Sequence, residues 1–555
     1  MSVNKTKDKS RFTIWHGLTL AIFILFVVFI GYPLFLVLYK SVVVNDSIGL
    51  SNFVKFFERK FYWSTLVNSF KVTIVATLIS VAIGLPLAYA TRNVKIKFSG
   101  AVDLLCIVAY LSPPFIGAYA WIQLLGRNGF ITKIINSLFG IQYNGIYGFA
   151  GIVLVFAMQS FPLVYLYVSG AMKNMDHSLN EAAESLGSST WKRVRTIIVP
   201  LLVPSILASS LLVFMRVFSD FGTPMLIGEG YKTMPVLVYT QFMSELGGDA
   251  SFAAALCVIV IGIIISLFFI QKYFAKKFNY SMTALKPIQP RQLTGAKNIL
   301  VHALVYFTVF VASLPQLVVI YTSFLKSNGG QVFTKGFSLD SYRNIFANGE
   351  GFVIGNTYFI GIIAILIIVV LGVLISYMSE RKPNALTGSL DTLSMLPYII
   401  PGSVLGISFL FAFNDYPLLL SGTFLILVIS FVVRRLAYTI RSSTAIIGQI
   451  SPSMEEAAVS LGSSEMKSFR DVMLPMMMPG VISGALMSWI TVISELSSSI
   501  ILYTSKTKTL TVAIYTEVIR GNYGNAAAFS TILTLTSIIS LLLFFKISGK
   551  KEISL

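Results

Sequence analysis

Two acidic residues in otherwise apolar stretches are the part of this sequence whose types and spacing could do chemistry. Asp220 and Glu495 lie 275 positions apart, and each directly follows a serine, Ser219 or Ser494. A carboxylate inside a membrane-spanning stretch is costly, so it usually faces a cavity or a partner. Two carboxylates that face a common axis could present oxygen ligands to a hard cation. Arg216 lies one turn before Asp220 and could instead pair with it, which would make that carboxylate structural or part of a gate hinge.

The same spacing relates two longer segments. Glu181-Ala-Ala-Glu-Ser-Leu-Gly187 returns as Glu456-Ala-Ala-Val-Ser-Leu-Gly462, and an aliphatic stretch that ends in proline follows each copy. The offset of 275 holds without a gap from Ser178 to Ile227 of the first copy. Such a repeat indicates a tandem duplication. The shared residues are Glu181, Ala182, Ala183, Gly187 and Pro200 in the first copy, and Glu456, Ala457, Ala458, Gly462 and Pro475 in the second.

Each repeated segment predicts a short amphipathic helix within a polar loop, at residues 176–199 and 451–474. Ser178 and Ser453 stand three residues before the shared glutamates, a capping-box pattern that starts a helix. The shared glycines are placed to end the helix in a left-handed conformation, and the shared prolines are placed to open the next span. A short helix with an apolar stripe outside the membrane is suited to docking in a groove of a partner.

The composition is that of a polytopic membrane protein. Of its 555 residues, 55% are hydrophobic and 12% are charged, whereas soluble domains carry about 25% charged residues. We predict an all-α membrane protein with twelve transmembrane helices, because lipid offers no partner to unpaired backbone groups. The predicted spans lie near residues 14–39, 66–90, 102–124, 146–171, 200–222, 253–274, 299–324, 356–378, 391–413, 420–440, 476–500 and 525–546.

The duplication divides these spans into two parallel six-helix repeats. Each motif loop follows the fourth span of its half, so both loops are predicted on the same side of the membrane. The predicted units are a first half at residues 1–275, a cytoplasmic linker at 276–298 and a second half at 299–555. The outer loops are too short to hold a substrate-binding domain, so any receptor must be another chain.

Charge and cysteine content exclude several other classes. The net charge is +19, and the basic residues concentrate in alternate loops, which places both termini in the cytoplasm. No basic segment is interleaved with aromatic residues, which argues against nucleic-acid binding. Cys106 and Cys257 fall inside predicted spans, so neither a disulfide scaffold nor a cysteine metal site is expected. Arg434 and Arg435, toward the cytoplasmic end of the tenth span, could anchor that span or attract an anionic substrate or lipid phosphate.

The repeated loops resemble the signature of type I ABC importer permeases: Glu-Ala-Ala, three residues, glycine, nine residues, then aliphatic-x-aliphatic-proline. The resemblance covers essentially the whole chain, as two fused six-span halves. It implies a transport subunit of a bacterial cell membrane, not an enzyme, whose loop helices insert into clefts of a cytoplasmic ATPase. Because the sequence has no phosphate-binding Gly-x-x-x-x-Gly-Lys-Ser/Thr loop, ATP and Mg²⁺ are expected on a separate subunit, present in two copies. The resemblance also implies an extracytoplasmic substrate-binding protein, with no cofactor and no stably bound metal in this chain.

Further stretches resemble fused permeases for ferric iron, namely residues 219–228, 400–406, 433–438 and 494–497. Related permeases carry phosphonates or other organophosphates, thiamine or polyamines, and these remain alternative cargoes. Permeases for oxyanions such as molybdate carry a similar Glu-Phe-Gly at the position of Asp220, so its carboxylate does not specify a cation. The competing class is a twelve-span secondary transporter, but the loop at residues 92–100 lacks the acidic partner that its signature would need.

Overall fold

The protein is helical apart from short hairpins in the ranges that the structure describes. The computed structural model describes residues 14–44, 47–140, 142–173, 175–176, 178–243, 249–277, 290–328 and 332–548. The basic residues before position 14 and after position 548, residues 278–289 of the predicted linker and His177 lie outside these ranges.

The helices of the first half are Ile14–Phe26, Tyr32–Val42, Ser51–Glu58, Lys60–Asn93, Ser99–Leu111, Pro114–Leu125, Phe130–Phe139, Gly148–Lys173, Ser178–Ser185, Thr190–Arg193, Val199–Ser219, Gly222–Ile227, Met234–Phe242 and Ala250–Lys277. Those of the second half are Gly295–Ser323, Asp340–Ala347, Phe352–Arg381, Ala385–Ile399, Gly402–Phe413, Phe424–Ile447, Ser453–Ser460, Glu465–Ser468, Leu474–Ile493, Ser499–Leu502, Leu510–Ile519 and Tyr523–Ser548. Five-residue π-helical segments occupy Val27–Gly31, Val194–Ile198 and Phe469–Met473. Two antiparallel hairpins pair Val43–Val44 with Ser47–Ile48, and Leu325–Asn328 with Val332–Phe337.

The predicted helical membrane architecture is confirmed. Nine helices in the described ranges are long and apolar enough to cross a membrane, or up to eleven if each of two bent helix pairs is one span. The predicted tenth span coincides with Phe424–Ile447, a less apolar helix that carries three arginines and is not among the nine.

The third span of each half is not the continuous helix that we predicted. Residues 102–124 and 391–413 are each broken into two helices, bent by 99° and 112°. The first break follows Ser112 and the second follows Ile400, and both of these residues have extended backbones before a proline. Proline lacks a backbone N–H and its ring disfavours helical geometry in the preceding residue, which accounts for both breaks.

The first long helix of each half packs against residues of the other half. Trp15 of the first helix packs against Tyr377 and Phe469 of the second half, with ring centroids 4.8 and 5.3 Å away. Conversely, buried residues of Gly295–Ser323, such as Val305 and Val309, belong to the core of the first half. The two halves are therefore interlocked and do not pack as separate bundles.

Equivalent hydrogen bonds in the two halves tie a long helix to a short one. The Ser69 hydroxyl accepts the Met234 backbone N–H at 2.8 Å. The Thr357 hydroxyl accepts the Leu510 N–H at 2.7 Å. Both N–H groups lie in the first turn of a helix, where no partner exists within the helix itself. Ser69 and Thr357 thus cap helices that lie far from them in the sequence.

Close helix packing in each half depends on a glycine. A Cβ added at Gly84 would lie 2.8 Å from the Phe161 carbonyl oxygen, and one at Gly372 would lie 2.6 Å from the Thr439 methyl carbon. Small residues allow such approach between membrane helices, where dispersion forces replace the hydrophobic effect as the driving force.

We expect Gly84→Val to lower the apparent melting temperature of the purified protein by several degrees, because overpacking costs about 1–3 kcal/mol. Gly262→Val is the matched control, since nothing lies within 4 Å of a Cβ at that helical position. The measurement is thermal unfolding in detergent. Equal melting temperatures for the two variants would show that the close approach is not limiting.

Candidate functional site

A cavity of about 1020 Å³ lies between residues of both halves. The broken third spans border it, since Pro113, Pro114 and Ile400 form part of its wall. It extends along Leu474–Ile493 as far as Pro475, next to the second loop. The structure brings together at this wall all five residues that the sequence analysis singled out around the two carboxylates as a candidate translocation pathway, Asp220, Glu495, Arg216, Ser219 and Ser494.

Glu495 is the anchor of a buried ion cluster. Its side chain is 2% exposed, and its two oxygens accept hydrogen bonds from the guanidinium groups of Arg434 and Arg435. The Ser498 backbone N–H also donates to it, at 3.2 Å. Glu495 follows the end of one helix at Ile493, so the cluster ties a helix break to the middle of Phe424–Ile447. A buried carboxylate is tolerable only with such paired, hydrogen-bonded charges.

The two arginines are not exposed at a helix end, as the anchoring alternative for them required. Arg434 is 8% exposed, and Arg435 also lies within the helix and lines the cavity. Positive-inside anchoring is not their structural role, because both face a carboxylate that needs them. The signal was present in the sequence, since two adjacent arginines in an apolar span require an acidic partner, and Glu495 was available.

Asp220 is bound differently from its counterpart. Its carboxylate oxygen Oδ1 accepts the Thr223 backbone N–H at 2.8 Å and so caps the short helix that follows. Arg216 forms no ion pair with it, so that alternative was wrong. The Arg216 guanidinium donates to the Tyr110 carbonyl oxygen at 3.1 Å and lies 4.5 Å from the centre of the Tyr110 ring. The reason is geometric, because Asp220 follows the end of the helix at Ser219 and turns toward the next one.

The two loop helices form as predicted, and both end at a glycine. Gly187 has φ +76° and Gly462 has φ +90°. The amide of the next residue donates back to Ala183 or Ala458, as in a helix C-cap with a left-handed residue. Leu186 and Leu461, just before the glycines, are 87% and 88% exposed. Each loop thus presents an apolar side chain that the chain itself does not cover.

Two details of the loops differ from prediction. The second loop helix has no capping box: its N-cap is Pro452, and the Ser453 hydroxyl bonds Ser451 instead. The shared prolines do not open the next spans, because helical structure already begins at Thr190 and Glu465 and passes through a π-helical segment. A π turn shifts the hydrogen-bond register just where proline removes a donor, so the helix continues.

The family of the chain follows from sequence comparison. Residues 80–280 and 368–551 match the family described as binding-protein-dependent transport system inner membrane component. The chain belongs to this family. It is accordingly the membrane-spanning permease of a transport system and not a catalytic subunit. Both matched ranges contain a loop helix and a cavity carboxylate.

Two named relatives cover nearly the whole permease. It is 28% identical over 549 residues to the ferric transport system permease protein FbpB of Actinobacillus pleuropneumoniae, covering 97% of this chain and 79% of that one. It is 24% identical to the Fe(3+)-transport system permease protein FbpB 2 of Haemophilus influenzae, covering 95% and 98%. The molybdenum transport system permease protein ModB of Escherichia coli K12 is 29% identical but covers 39% of this chain and 93% of its own length. A bacterial ABC transporter that imports alginate has a solved structure 14% identical to this permease; it covers 48% of this chain and 96% of its own, with a TM-score of 0.40.

The first loop of the permease is held by the segment that joins the halves. Glu184 accepts a hydrogen bond from Arg193 at 2.5 Å, and its two oxygens also accept from Arg291, one of them at 2.9 Å. The Arg291 backbone pairs with residues 93–95 through two hydrogen bonds, including Lys95 N–H to the Arg291 carbonyl at 3.0 Å. We call these contacts of Glu184, Arg193 and Arg291 the linker clamp. The sequence analysis singled out neither Arg193 nor Arg291. A basic residue in a loop does not by itself indicate which carboxylate it will contact.

The second loop has a different support. Val459 replaces Glu184 at the equivalent position. The Tyr377 hydroxyl instead donates to Glu455 at 2.5 Å, and Lys382 pairs with Glu465 at 3.2 Å. The two loop helices are thus alike in shape but held by unrelated contacts.

The linker clamp is expected to persist across physiological pH. Hydrogen bonds from Arg291, and then from Arg193, lower the pKa of the Glu184 carboxyl to about 2. A carboxyl pKa depressed from its usual value of about 4.3 adds stability above that value, which is lost as pH falls toward about 2. We expect Glu184→Gln to raise hydrogen exchange at the Lys95 and Arg291 amides roughly threefold at pH 7. In the wild type, the protection factors of these amides should hold from pH 8 to 5 and fall between 4 and 2.

Asp471→Asn is the control for this exchange experiment, because it removes an exposed ion pair with Arg470 in the second loop. It should leave both amides unchanged. Unchanged protection in Glu184→Gln would show that the backbone pairing alone holds the linker.

Proposed function

We propose that this permease is the membrane subunit of an ATP-driven importer and that its cargo is ferric iron. The observation that carries the transport mechanism is the pair of glycine-capped loop helices beside a cavity shared by both halves. In this proposal each loop helix docks into one of two ATPase subunits, which hold ATP and Mg²⁺. A separate extracytoplasmic binding protein delivers the cargo.

The finer architecture belongs to the same proposal. The chain is arranged as twelve spans in two parallel six-span halves, with residues 276–298 as the linker and both termini in the cytoplasm of a bacterial cell. The recurrence of the element order supports it: each half has a long helix, a bent pair, another long helix and a loop helix in sequence. The tenth span is then Phe424–Ile447, whose arginines are tolerated because they are paired and border a cavity.

Docking by the loop helices is supported by their surface. The exposed Leu186 and Leu461 occupy equivalent positions, and Trp191 is 75% exposed beyond the first of them. A short helix with such side chains fits an apolar groove in a partner. The roles of Glu181, Ala182, Ala183 and their second-loop equivalents as the docking face remain predictions.

Mechanical coupling follows from helix continuity. The helix that starts at Thr190 and continues to Ser219 links the first loop to Asp220, and Glu465–Ile493 links the second loop to Glu495. A displacement of either loop is therefore transmitted to the carboxylate end of the cavity. This arrangement supports alternating access, in which ATPase closure draws the two loops together.

Ferric iron is favoured by the named relatives that span the chain. The two iron permeases cover 95% or more of it, whereas the molybdenum permease aligns with 39%. The test is uptake of labelled ferric iron into vesicles that contain the permease, its ATPase and its binding protein. Iron uptake that requires ATP supports the proposal. Robust transport of molybdate or an organophosphate without iron would retain the importer and reject the cargo.

We expect Gly187→Val together with Gly462→Val to reduce ATPase stimulation and uptake severalfold while membrane insertion stays normal. A β-branched residue in a left-handed conformation costs about 1–2 kcal/mol, so the helix end and its exposed leucine shift. Nothing lies within 4 Å of a Cβ at either site, so the effect is conformational and not a clash. Gly170→Val is the control, because that glycine has open space and lies within a regular helix. Full ATPase stimulation by the double variant would rule out this role for the caps.

A further inference from the structure

Positive charge prevails in the wall of the cavity. Four arginines, Arg216, Arg434, Arg435 and Arg441, line it against two carboxylates. Arg441 pairs with Asp391 at 3.1 Å, outside the wall itself. The other three are opposed only by Asp220 and Glu495. An anion would therefore be attracted to this space more strongly than a cation of the same size.

The carboxylates are poorly placed to ligate a metal ion. Both oxygens of Glu495 are engaged by arginines, and one oxygen of Asp220 is engaged by the Thr223 amide. A single carboxylate oxygen is left, whereas a hard cation needs several oxygen ligands. No group of three or more His, Cys, Asp or Glu residues in the described ranges could hold a metal ion. This overturns the expectation that the two carboxylates together offer a ligand set.

Hydrogen-bond donors, by contrast, are left over. Arg216 donates one hydrogen bond, to Tyr110, out of the five that a guanidinium can make. Buried donors without acceptors are costly. Arg216 lines the cavity, and guanidinium forks match carboxylate and phosphate groups, so a solute rich in acceptor oxygens would supply partners for its remaining N–H groups.

We propose that this cavity receives an anion with several oxygen atoms, and that iron crosses the membrane as a complex with such an anion and not as a bare cation. That the complex contains iron rests on the proposed function. That it contains an anion rests on the residues that line the cavity. The shared chemistry is that of a polycarboxylate or a phosphate. Arg216 is its principal contact, because this arginine lines the cavity and makes no ion pair with either carboxylate there.

The experiment measures binding to the full-length permease in nanodiscs of neutral lipid. The probes are citrate, inorganic phosphate, ferric citrate and, as a cation of comparable size, spermidine. We expect ferric citrate and at least one free oxyanion to bind and spermidine not to bind. Arg216→Gln should weaken oxyanion binding on the order of tenfold, and Arg216→Lys should weaken it less because it retains the charge.

The expected effect of Asp220→Asn on binding differs between an anionic cargo and a bare cation. Asparagine keeps an oxygen for the Thr223 amide, so the fold is preserved while the charge is removed. If the cargo is anionic, binding should stay unchanged or tighten; if it is a bare cation, binding should be lost. Arg343→Gln is the control, since Arg343 is exposed and lies outside the cavity wall. Melting temperatures of all variants identify any that fail to fold, and Arg216→Lys then carries the test.

The outcomes separate this inference from the proposed function. The reconstituted importer could take up iron while its binding of ferric citrate is unchanged by Arg216→Gln. That result would rule out transport of iron as an anionic complex but would still support the proposed importer function. Weaker ferric binding in Asp220→Asn would do the same. Binding of citrate or phosphate that depends on Arg216, without binding of ferric citrate, would reject iron as the cargo and leave the oxyanion site.

Discussion

The pairing of Glu495 with Arg434 and Arg435 is the interaction on which the rest of the centre depends. Charges withdrawn from water inside a membrane must meet opposite charges, and removing one partner leaves the others exposed to the full desolvation cost. The cluster joins the break at residues 494–498 to a helix of the same half. The Glu495 backbone carbonyl also accepts the Thr511 hydroxyl at 2.8 Å, which draws in a third helix. One residue thus positions three elements around the cavity, two through its side chain and one through its backbone carbonyl.

The sequence repeat does not extend to the arginines of the cavity. Gln159 lies 275 residues before Arg434, and its amide donates to the Pro114 carbonyl oxygen at 2.8 Å. In the same way, Thr491 stands where the first half has Arg216. Equivalent positions of the sequence repeat therefore carry different donors: the paired cluster of Arg434 and Arg435 belongs to the second half, and Arg216, which makes no ion pair with either cavity carboxylate, belongs to the first. A solute in the cavity would meet two chemically distinct walls.

Sequence reasoning located the elements that have local causes. Apolar runs predicted the helical membrane fold, and glycine at the loop ends predicted left-handed caps at Gly187 and Gly462. It failed where the outcome depends on distant residues. The prolines at 113 and 401 are present in the sequence, but hydrophobicity averaged over about 20 residues stays high on both sides of the break they cause, so each broken helix was predicted as one span. No partner was predicted for Glu495, because 60 or more residues separate the charges in sequence. The linker clamp likewise joins positions 107 residues apart.

Because the first long helix of each half packs against the other half, folding of the protein must wait for synthesis of distant segments. The Thr19 hydroxyl donates to the Met378 sulfur, a partner 359 residues later in the chain. The ribosome therefore releases the first helix long before its docking surface exists. Lipid can hold it meanwhile, since a single apolar helix has all its backbone hydrogen bonds satisfied. Completion of the first half cannot precede Gly295–Ser323, because that helix fills its core. Assembly is thus a late event, in which both halves close together once the second has been translated.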